Sequence, residues 1–455
     1  MMTAAETLAT WAAFVDPAAL APSVVHAAKR CVLDAVACAL AGADMPWVER
    51  VLAVARAQAS PSRASVLGRS DRMSAPLAAL VNGTAVHALD YDDDPAACHI
   101  GAVVIPVSLA LGQALRATPS RVIAAVVLGY DVTTRIGEAI DADILYQKGY
   151  HPTSVCGVFG AAAASAYLDG LDAATMTHAL GIAGSFSSGN MEFLADGAMT
   201  KRLQPGKAAH DGILAAELAH AGFTGPRSIL DGRYGLWRYT ETRDDERFTR
   251  GLGTRFAVQE VYVKKHASCL GNAPALDGVL ALMQAHRIVP AQIREIRVGV
   301  RGSTLAMVGE PREIRVRPQT MLDAQMSLPY SLAVAMLDGE AGIAQFAPDR
   351  LRDPRILGLA ERIHVYAHAD LAAAKAGNLT CYLDLDTTDG RHFTERLETY
   401  RGHPQTPMTD EEMETKFRRC ASRRLTDARV SAASEAIWNL DKLADLVPLL
   451  AAIAD

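Results

Sequence analysis

The stretch "GYHPTSVCGVFGAAAASAYLDGL", residues 149–171, sets a histidine between a tyrosine and a proline and then runs into a Gly/Ala-rich segment. Pro152 suits a first helical turn, where its missing N–H costs nothing. Small side chains over the next four turns let neighbouring helices approach closely, which favours an all-α bundle. The same texture extends on both sides. "VVHAAKRCVLDAVACALAG" (24–42), "RVIAAVVLGYDVTTRIGEAI" (121–140) and "MTHALGIAGSFSSG" (176–189) repeat apolar residues at three- and four-residue spacing. Asp172 is placed to cap the last of these. Residues 1 to about 265 therefore read as helical almost throughout.

The pattern changes after about residue 270. "QIREIRVGVR" (292–301), "ERIHVYAHAD" (361–370) and "NLTCYLDLDTTDGRHFTERLE" (378–398) alternate apolar and polar residues and are rich in β-branched and aromatic types, with a hairpin turn at Asp389-Gly390. Helical patterns lie between them at 273–286 and 327–339, and helices resume with "TDEE" at 409. The expected fold class is mainly α with a smaller α+β domain. Residues 1–268 and 404–455 would form one all-helical domain from both chain ends, and 269–403 an inserted α+β lid.

Bulk properties exclude several functions. The net charge of −6 offers no basic surface for nucleic acid. Seven cysteines are dispersed without metal-binding spacing, so no metal is expected, and an odd scattered set suits a reducing compartment. The N-terminus has no basic n-region, and the apolar runs fall short of the roughly 20 residues a membrane span needs, so a cytoplasmic protein is expected. The dinucleotide, P-loop, H-E-x-x-H and G-x-S-x-G signatures are all missing, and no cofactor is expected.

What remains is His, Lys, Tyr and Asp in Gly/Pro-broken segments. In "NGTAVHALDYDDDPAACHIGAVVIP" (82–106), a helix continued through the block would put His87, Asp90 and Asp94 near one face at its C-terminal end, where carboxylates oppose the dipole. Asp93 or Asp94 could orient His99; a solvated acidic loop and a capping histidine are the plain alternatives. In "YQKGYHPTSVCG" (146–157), His151 at a helix mouth would stay neutral, which suits a base or neutral donor, with Tyr146 and Lys148 close in sequence. In "DGAMTKRLQPGKAAHDG" (196–212), Lys201, Arg202 and Lys207 put positive charge before a Gly-Pro-started helix, a good carboxylate site. "VYVKKHASCLGN" (261–272) gathers Lys264, Lys265, His266 and Cys269 at the junction, either lining a cleft or lying solvated in a linker. Tyr330 opens an apolar helix, where a core role is the usual one.

Four of these blocks together, "NGTAVHALDYDD", "GYHPTSVCGVFGAAAASAYLDGLD", the cationic segment through "SILDGRYG", and "DAQMSLPYSLAVAMLDG", resemble the MmgE/PrpD family over nearly the whole chain. That family holds methylcitrate dehydratases, cis-aconitate decarboxylases and iminodisuccinate epimerases. The resemblance implies a homodimer with a cleft between helical and lid domains. From the decarboxylase branch it implies site residues at Asp93, His99, His151, Lys201 and Tyr330, and from the epimerase branch at Tyr146 and Lys264 or Lys265. The chain departs from the family pattern where Gln204 and Lys207 stand in place of a histidine and an arginine. The acidic loop is also short, and the hinge has no histidine after Cys269.

The expected activity is thus a cofactor-independent lyase for a small di- or tricarboxylate, dehydratase-like, with epimerisation or decarboxylation as alternatives and a non-catalytic dicarboxylate-binding protein as the reading from another class. Lys201, His99, Asp93 and Lys207 would hold the substrate. His151 would be the acid/base, and Tyr330, Tyr146, Lys264 or Lys265 would handle the opposite proton.

Overall fold

The structure is a computed structural model that describes residues 2–58, 61–94, 98–373 and 379–454. The helical part begins with α1 (Ala4–Ala13), α2 (Pro22–Gly42), α3 (Pro46–Arg56), α4 (Ala75–Val86), α5 (Gly101–Leu115), α6 (Pro119–Ile140), α7 (Ala142–Gln147), α8 (Pro152–Leu168), α9 (Ala173–Phe186), α10 (Phe193–Asp196) and α11 (Thr200–His220). Every residue of α8 is buried, so the Gly/Ala run is the centre of the bundle rather than one amphipathic face. α8 lies against α11, α6, α5 and α9, and α11 also packs on α4.

The α4–α11 crossing depends on two glycines. A Cβ on Gly206 would stand 2.2 Å from Leu80 O, and one on Gly83 would stand 2.7 Å from the Gly206 Cα. Any side chain at either position would push the helices apart. This contact matters to the site, because it sets the first turn of α11 beside the chain leaving α4.

A two-residue ladder, β1 (Ala64–Ser65) with β2 (Arg72–Met73), interrupts the helical part. The second departure from the expected pattern is the segment after α11, residues 221 to 272, which holds mostly turns and short 3-10 pieces. Its glycines include Gly222, Gly251 and Gly253 at positive φ, which break helical continuation.

The α+β part holds a four-stranded sheet in the order β4-β3-β5-β6: β3 (Ile293–Val300), β4 (Ile363–Ala367), β5 (Cys381–Thr387) and β6 (His392–Leu397). β3 pairs parallel with β4 and antiparallel with β5, and β5 and β6 form the hairpin through Gly390 at φ +87°. β5 alternates strictly between buried and half-buried residues, as a sheet with one covered face requires. The protein is therefore mainly α with a smaller α+β part.

The helix Asp410–Ala421, started by a Thr409/Glu412 capping box, returns to α2. Its Lys416 reaches Asp34 on α2 at 2.6 Å and the carbonyls of Tyr91 and Lys264 at 2.7 and 2.8 Å. Among the described residues no single helix is long and apolar enough to cross a membrane.

Candidate active site

The chain leaving α4 builds the first wall. α4 stops at Val86, a 3-10 turn covers His87–Leu89, and Asp90 takes a left-handed conformation at φ 52°, ψ 36°. Aspartate tolerates that region better than most residues. The twist sends the Asp90 carboxylate inward. Its Oδ2 meets Lys201 Nζ at 3.0 Å, and its Oδ1 meets Lys264 Nζ at 2.7 Å. Lys201 lies in the first turn of α11, so its ammonium and the helix dipole add their positive charge at one place.

Three histidines surround this ion triad. His87 Nδ1 donates to Asp92 at 3.0 Å, and His99 Nδ1 donates to the Asp93 carbonyl at 2.9 Å with Asp92 Oδ2 at 3.3 Å. His151 caps α8, and its Nδ1 donates to Gln204 Oε1 at 2.7 Å. The other end of that amide donates to Asn190 O at 2.8 Å, which fixes which end faces the ring. Ring centroids of His87 and His99 are 4.3 Å apart, and His151 lies 6.0 and 6.3 Å from them. All seven of these charged or imidazole groups are nearly closed to solvent, His87, Asp92 and His151 completely.

Burial and charge separate these groups. Asp90 would be raised by burial, but Lys201 and Lys264 hold it well below the usual carboxylate range. Burial lowers Lys201 despite Asp90. Burial also opposes the charge of Lys264, but Asp90, Asp94 and Asp92 outweigh it and lift its pKa above the ordinary lysine value. Burial pushes His87 down to about 3 against the pull of Asp92, and drives His151 well below 6.5 with help from His87 and Lys201. In His99 the carboxylates of Asp92 and Asp94 outweigh burial and raise it above 6.5. A neutral imidazole thus sits near one that favours its cation, the separation that distinguishes a base from an acid.

Of the residues singled out from sequence, the structure brings His99, His151, Lys201 and Lys264 together. Tyr146 stands nearby, its ring centroid 6.2 Å from that of His151. His87 and Asp90, expected on one helix face, also join the cluster, whereas Asp93, Tyr330, Lys265 and Lys207 lie outside it. Asp93 turns its carboxyl away from it, receiving Tyr130 Oη and, at 2.9 Å, the Gly101 amide at the start of α5; burial first, then Asp34, pushes its pKa up to about 8. The carboxylate facing the lysines is that of Asp90, at the left-handed residue that ends the 3-10 turn. Tyr330 donates to Gln345 O at 3.2 Å and packs on Phe346, so its buried hydroxyl is satisfied within its own domain. Lys265 pairs with Asp277 at 2.7 Å on the half-exposed side of the hinge. Lys207 pairs with Asp211 at 2.8 Å and with the Phe186 carbonyl, also half-exposed. The cationic segment is also helix from Thr200 onward rather than a loop, and Pro205 is accommodated inside it.

His87, Asp90 and Asp92 were not assigned roles from sequence. Their signal was available in "HALDYDD": three carboxylates and a histidine in seven residues that also hold Leu89 and Tyr91, a mixture that a solvated loop does not need. Arg202 and Gln325 complete the far wall, with Arg202 Nη2 donating to Gln325 Oε1 at 2.8 Å and Gln325 Nε2 donating to the Leu89 and Ala267 carbonyls. Residues 95–97, the middle of the short acidic loop, lie outside the described residues.

Comparison with known proteins gives two family matches that together span most of the chain. The MmgE/PrpD N-terminal domain matches residues 6–249, and the MmgE/PrpD C-terminal domain matches 266–442. The chain belongs to the MmgE/PrpD family. Relatives include a cis-aconitate decarboxylase of Aspergillus terreus, 29% identical over 97% of this chain and 94% of its own length. The cis-aconitate decarboxylases of mouse and human are 27% and 28% identical, each over 94% of this chain and 88% and 89% of their own.

Proposed function

We propose that the cluster is the active site of a lyase that acts on a small tricarboxylate without a cofactor, removing either carboxylate or water next to a retained carboxylate. The observation that carries this reading is Lys201. Its ammonium, in the first turn of α11, has one partner among the described residues, Asp90 at 3.0 Å. Two donors remain for a substrate carboxylate, beside an imidazole held neutral and another inclined to its cation.

The chemistry follows from that arrangement. In decarboxylation the bond from carbon to the departing carboxylate breaks, and its electron pair moves, directly or through a neighbouring double bond, toward the retained carboxylate. CO2 leaves, and an imidazolium gives its proton to carbon. In dehydration a neutral imidazole takes the proton next to the carboxylate, and the leaving hydroxide is protonated. Both routes build negative charge on the retained oxygens, and Lys201 with protonated His99 opposes it. In decarboxylation the proton comes from His99, the imidazole inclined to its cation, whereas neutral His151, with Tyr146 near it, is the base that dehydration needs. Carboxylate loss is the favoured route, because the relatives that match nearly the whole chain carry the name cis-aconitate decarboxylase. The two domain interiors meet over the cluster through Gln325, so substrate entry requires the α+β part, residues 269–403, to open as a lid. The reading includes a homodimer, which light scattering on the purified protein checks.

Proton NMR of the protein in heavy water with a panel of citrate-, aconitate- and iminodisuccinate-like acids tests the assignment. The expected result is consumption of a tricarboxylate with release of CO2 and one deuterium on the carbon that takes the proton in its place; dehydration instead gives a new double bond with no deuterium added by the elimination itself. Dehydration without CO2 would shift the choice of route. Inertness of the whole panel, deuterium exchange included, would contradict the proposal.

A further inference from the structure

The three histidines have a property that proton transfer alone does not require. They come from three separate places: the 3-10 turn after α4, the chain two residues before the start of α5, and the N-cap of α8. Each ring gives its Nδ1–H to a fixed acceptor: His87 to Asp92 at 3.0 Å, His99 to the Asp93 carbonyl at 2.9 Å, and His151 to Gln204 Oε1 at 2.7 Å. With Nδ1 so engaged, each neutral ring carries its free lone pair on Nε2. The Nε2 atoms of His87 and His151 are buried and have no hydrogen-bond partner. One ring nitrogen from each of the three residues lies within 4.8 Å of the other two.

Ligating histidines characteristically hold an oxygen acceptor on the far ring nitrogen, which fixes the ring and strengthens the ligand. A zinc ion with bonds of about 2.0–2.1 Å puts its nitrogen ligands roughly 3.3 Å apart. The three ring nitrogens therefore need to close by at most about 1.5 Å, a side-chain adjustment. Asp92 backs two of the rings as an anion, and the two lysines are drawn onto Asp90 at 3.0 and 2.7 Å. Imidazole is a good ligand for zinc, cobalt and nickel and a poor one for magnesium or calcium.

We propose that His87, His99 and His151 form a site for one zinc-class divalent transition-metal ion, and that the ion, seated where substrate is handled, shuts the enzyme down rather than assisting it. The first half is independent of the reaction; the second rests on the reading of the cluster as the active site. An ion there takes the lone pairs that the proton transfers use, and its charge ties up the carboxylate that Lys201 would otherwise receive.

The test uses full-length protein freed of metal with a chelator and titrated with cobalt, without substrate. The expected result is one equivalent bound per chain with the visible absorption of a tetrahedral cobalt site, and no response to magnesium. X-ray absorption of the zinc-loaded wild type should give three imidazole nitrogens at about 2.0 Å, a readout that needs no variant. His87→Gln and His151→Gln should each weaken binding at least tenfold, while Lys265→Ala should leave it unchanged. A protein that binds no stoichiometric ion, or a zinc-loaded spectrum without imidazole ligands, overturns the site. Equal affinity in both glutamine variants does the same. On turnover, the ion should inhibit and a chelator should restore; stimulation, or indifference with the ion bound, overturns the second half. A protein that binds cobalt at these histidines yet turns over no acid keeps the site and rejects the proposed function.

Discussion

Two buried carboxylate–ammonium assemblies lie a few residues apart and behave differently. In one, Lys416 joins Asp34 between the returning C-terminal helix and α2. Its three donors meet Asp34 and the Tyr91 and Lys264 carbonyls, and its ammonium lies 4.0 Å over the Tyr91 ring. In the other, Asp90 sits between Lys201 and Lys264 among rings whose Nε2 atoms lack partners. Desolvation is similar in both. The difference lies in the ammonium: that of Lys416 spends its donors inside the protein and is held charged above the ordinary lysine value, whereas Lys201 is lowered by burial and keeps donors to spare. A network whose cation is spent fastens the chain ends together. An open one stores the capacity to bind something the protein does not itself supply.

Substitutions can break this contrast. The largest expected effect is on stability: Lys416→Met leaves Asp34 buried without its cation and should cost about 3–5 kcal/mol. Chemical denaturation measures it, and the protein that remains folded should keep its turnover number. Lys264→Ala and Lys265→Ala come next as a neighbouring pair. Loss of Lys264 removes one of the two cations on Asp90 and should lower kcat/KM by about a hundredfold, or roughly 2.7 kcal/mol. Loss of Lys265, whose side chain is 42% exposed, should change it less than about twofold. Equal effects from the two would erase the distinction between cluster and hinge surface.

The pH profile sharpens it further. His151 is pushed well below 6.5, so it is neutral and able to accept a proton above its own pKa, and kcat/KM should fall only as pH drops below 6.5. His99 is raised above 6.5, so its proton is lost as pH rises through that higher value, giving the opposite limb. The predicted profile has its acid limb below 6.5 and its basic limb above 6.5; an acid limb above that value or a basic limb below it would reverse one assignment. The smallest effect is outside the site. Asp277 is held at about 2, where burial is outweighed by His266 and Lys265. Its stabilising contribution is present above the ordinary carboxylate value of 3.8 and is lost as pH falls from there toward 2. Asp277→Asn should therefore flatten the acid side of the stability curve by about 1–2 kcal/mol, read from melting temperatures.

The fold was legible because helix and strand periods differ and seldom overlap here. The buried α8 shows as unbroken Gly/Ala, and β5 shows as strict alternation. The site was legible where a residue type and a helix end coincide, as at His151 and Lys201. It was not legible where direction depends on one backbone angle. The aspartates at 90, 92, 93 and 94 look interchangeable in sequence. The left-handed turn at Asp90 decides that its carboxylate faces the lysines while that of Asp93 faces Tyr130. Tyr330 is a related case: its place at a helix start was clear in the sequence, but its partner, the carbonyl of Gln345 in the 3-10 turn Ile343–Phe346, was not.

The central claim is that the open network is catalytic and not a second structural tie. Turnover of the acid identified by NMR, measured alongside melting temperature for Lys201→Ala and His151→Ala, tests it most directly. The account predicts a loss of at least about a hundredfold in each, the lower end expected for a positioned acid/base or charge-stabilising group, with melting little changed. Wild-type rates in either variant, or loss of activity only in step with loss of fold, would contradict it.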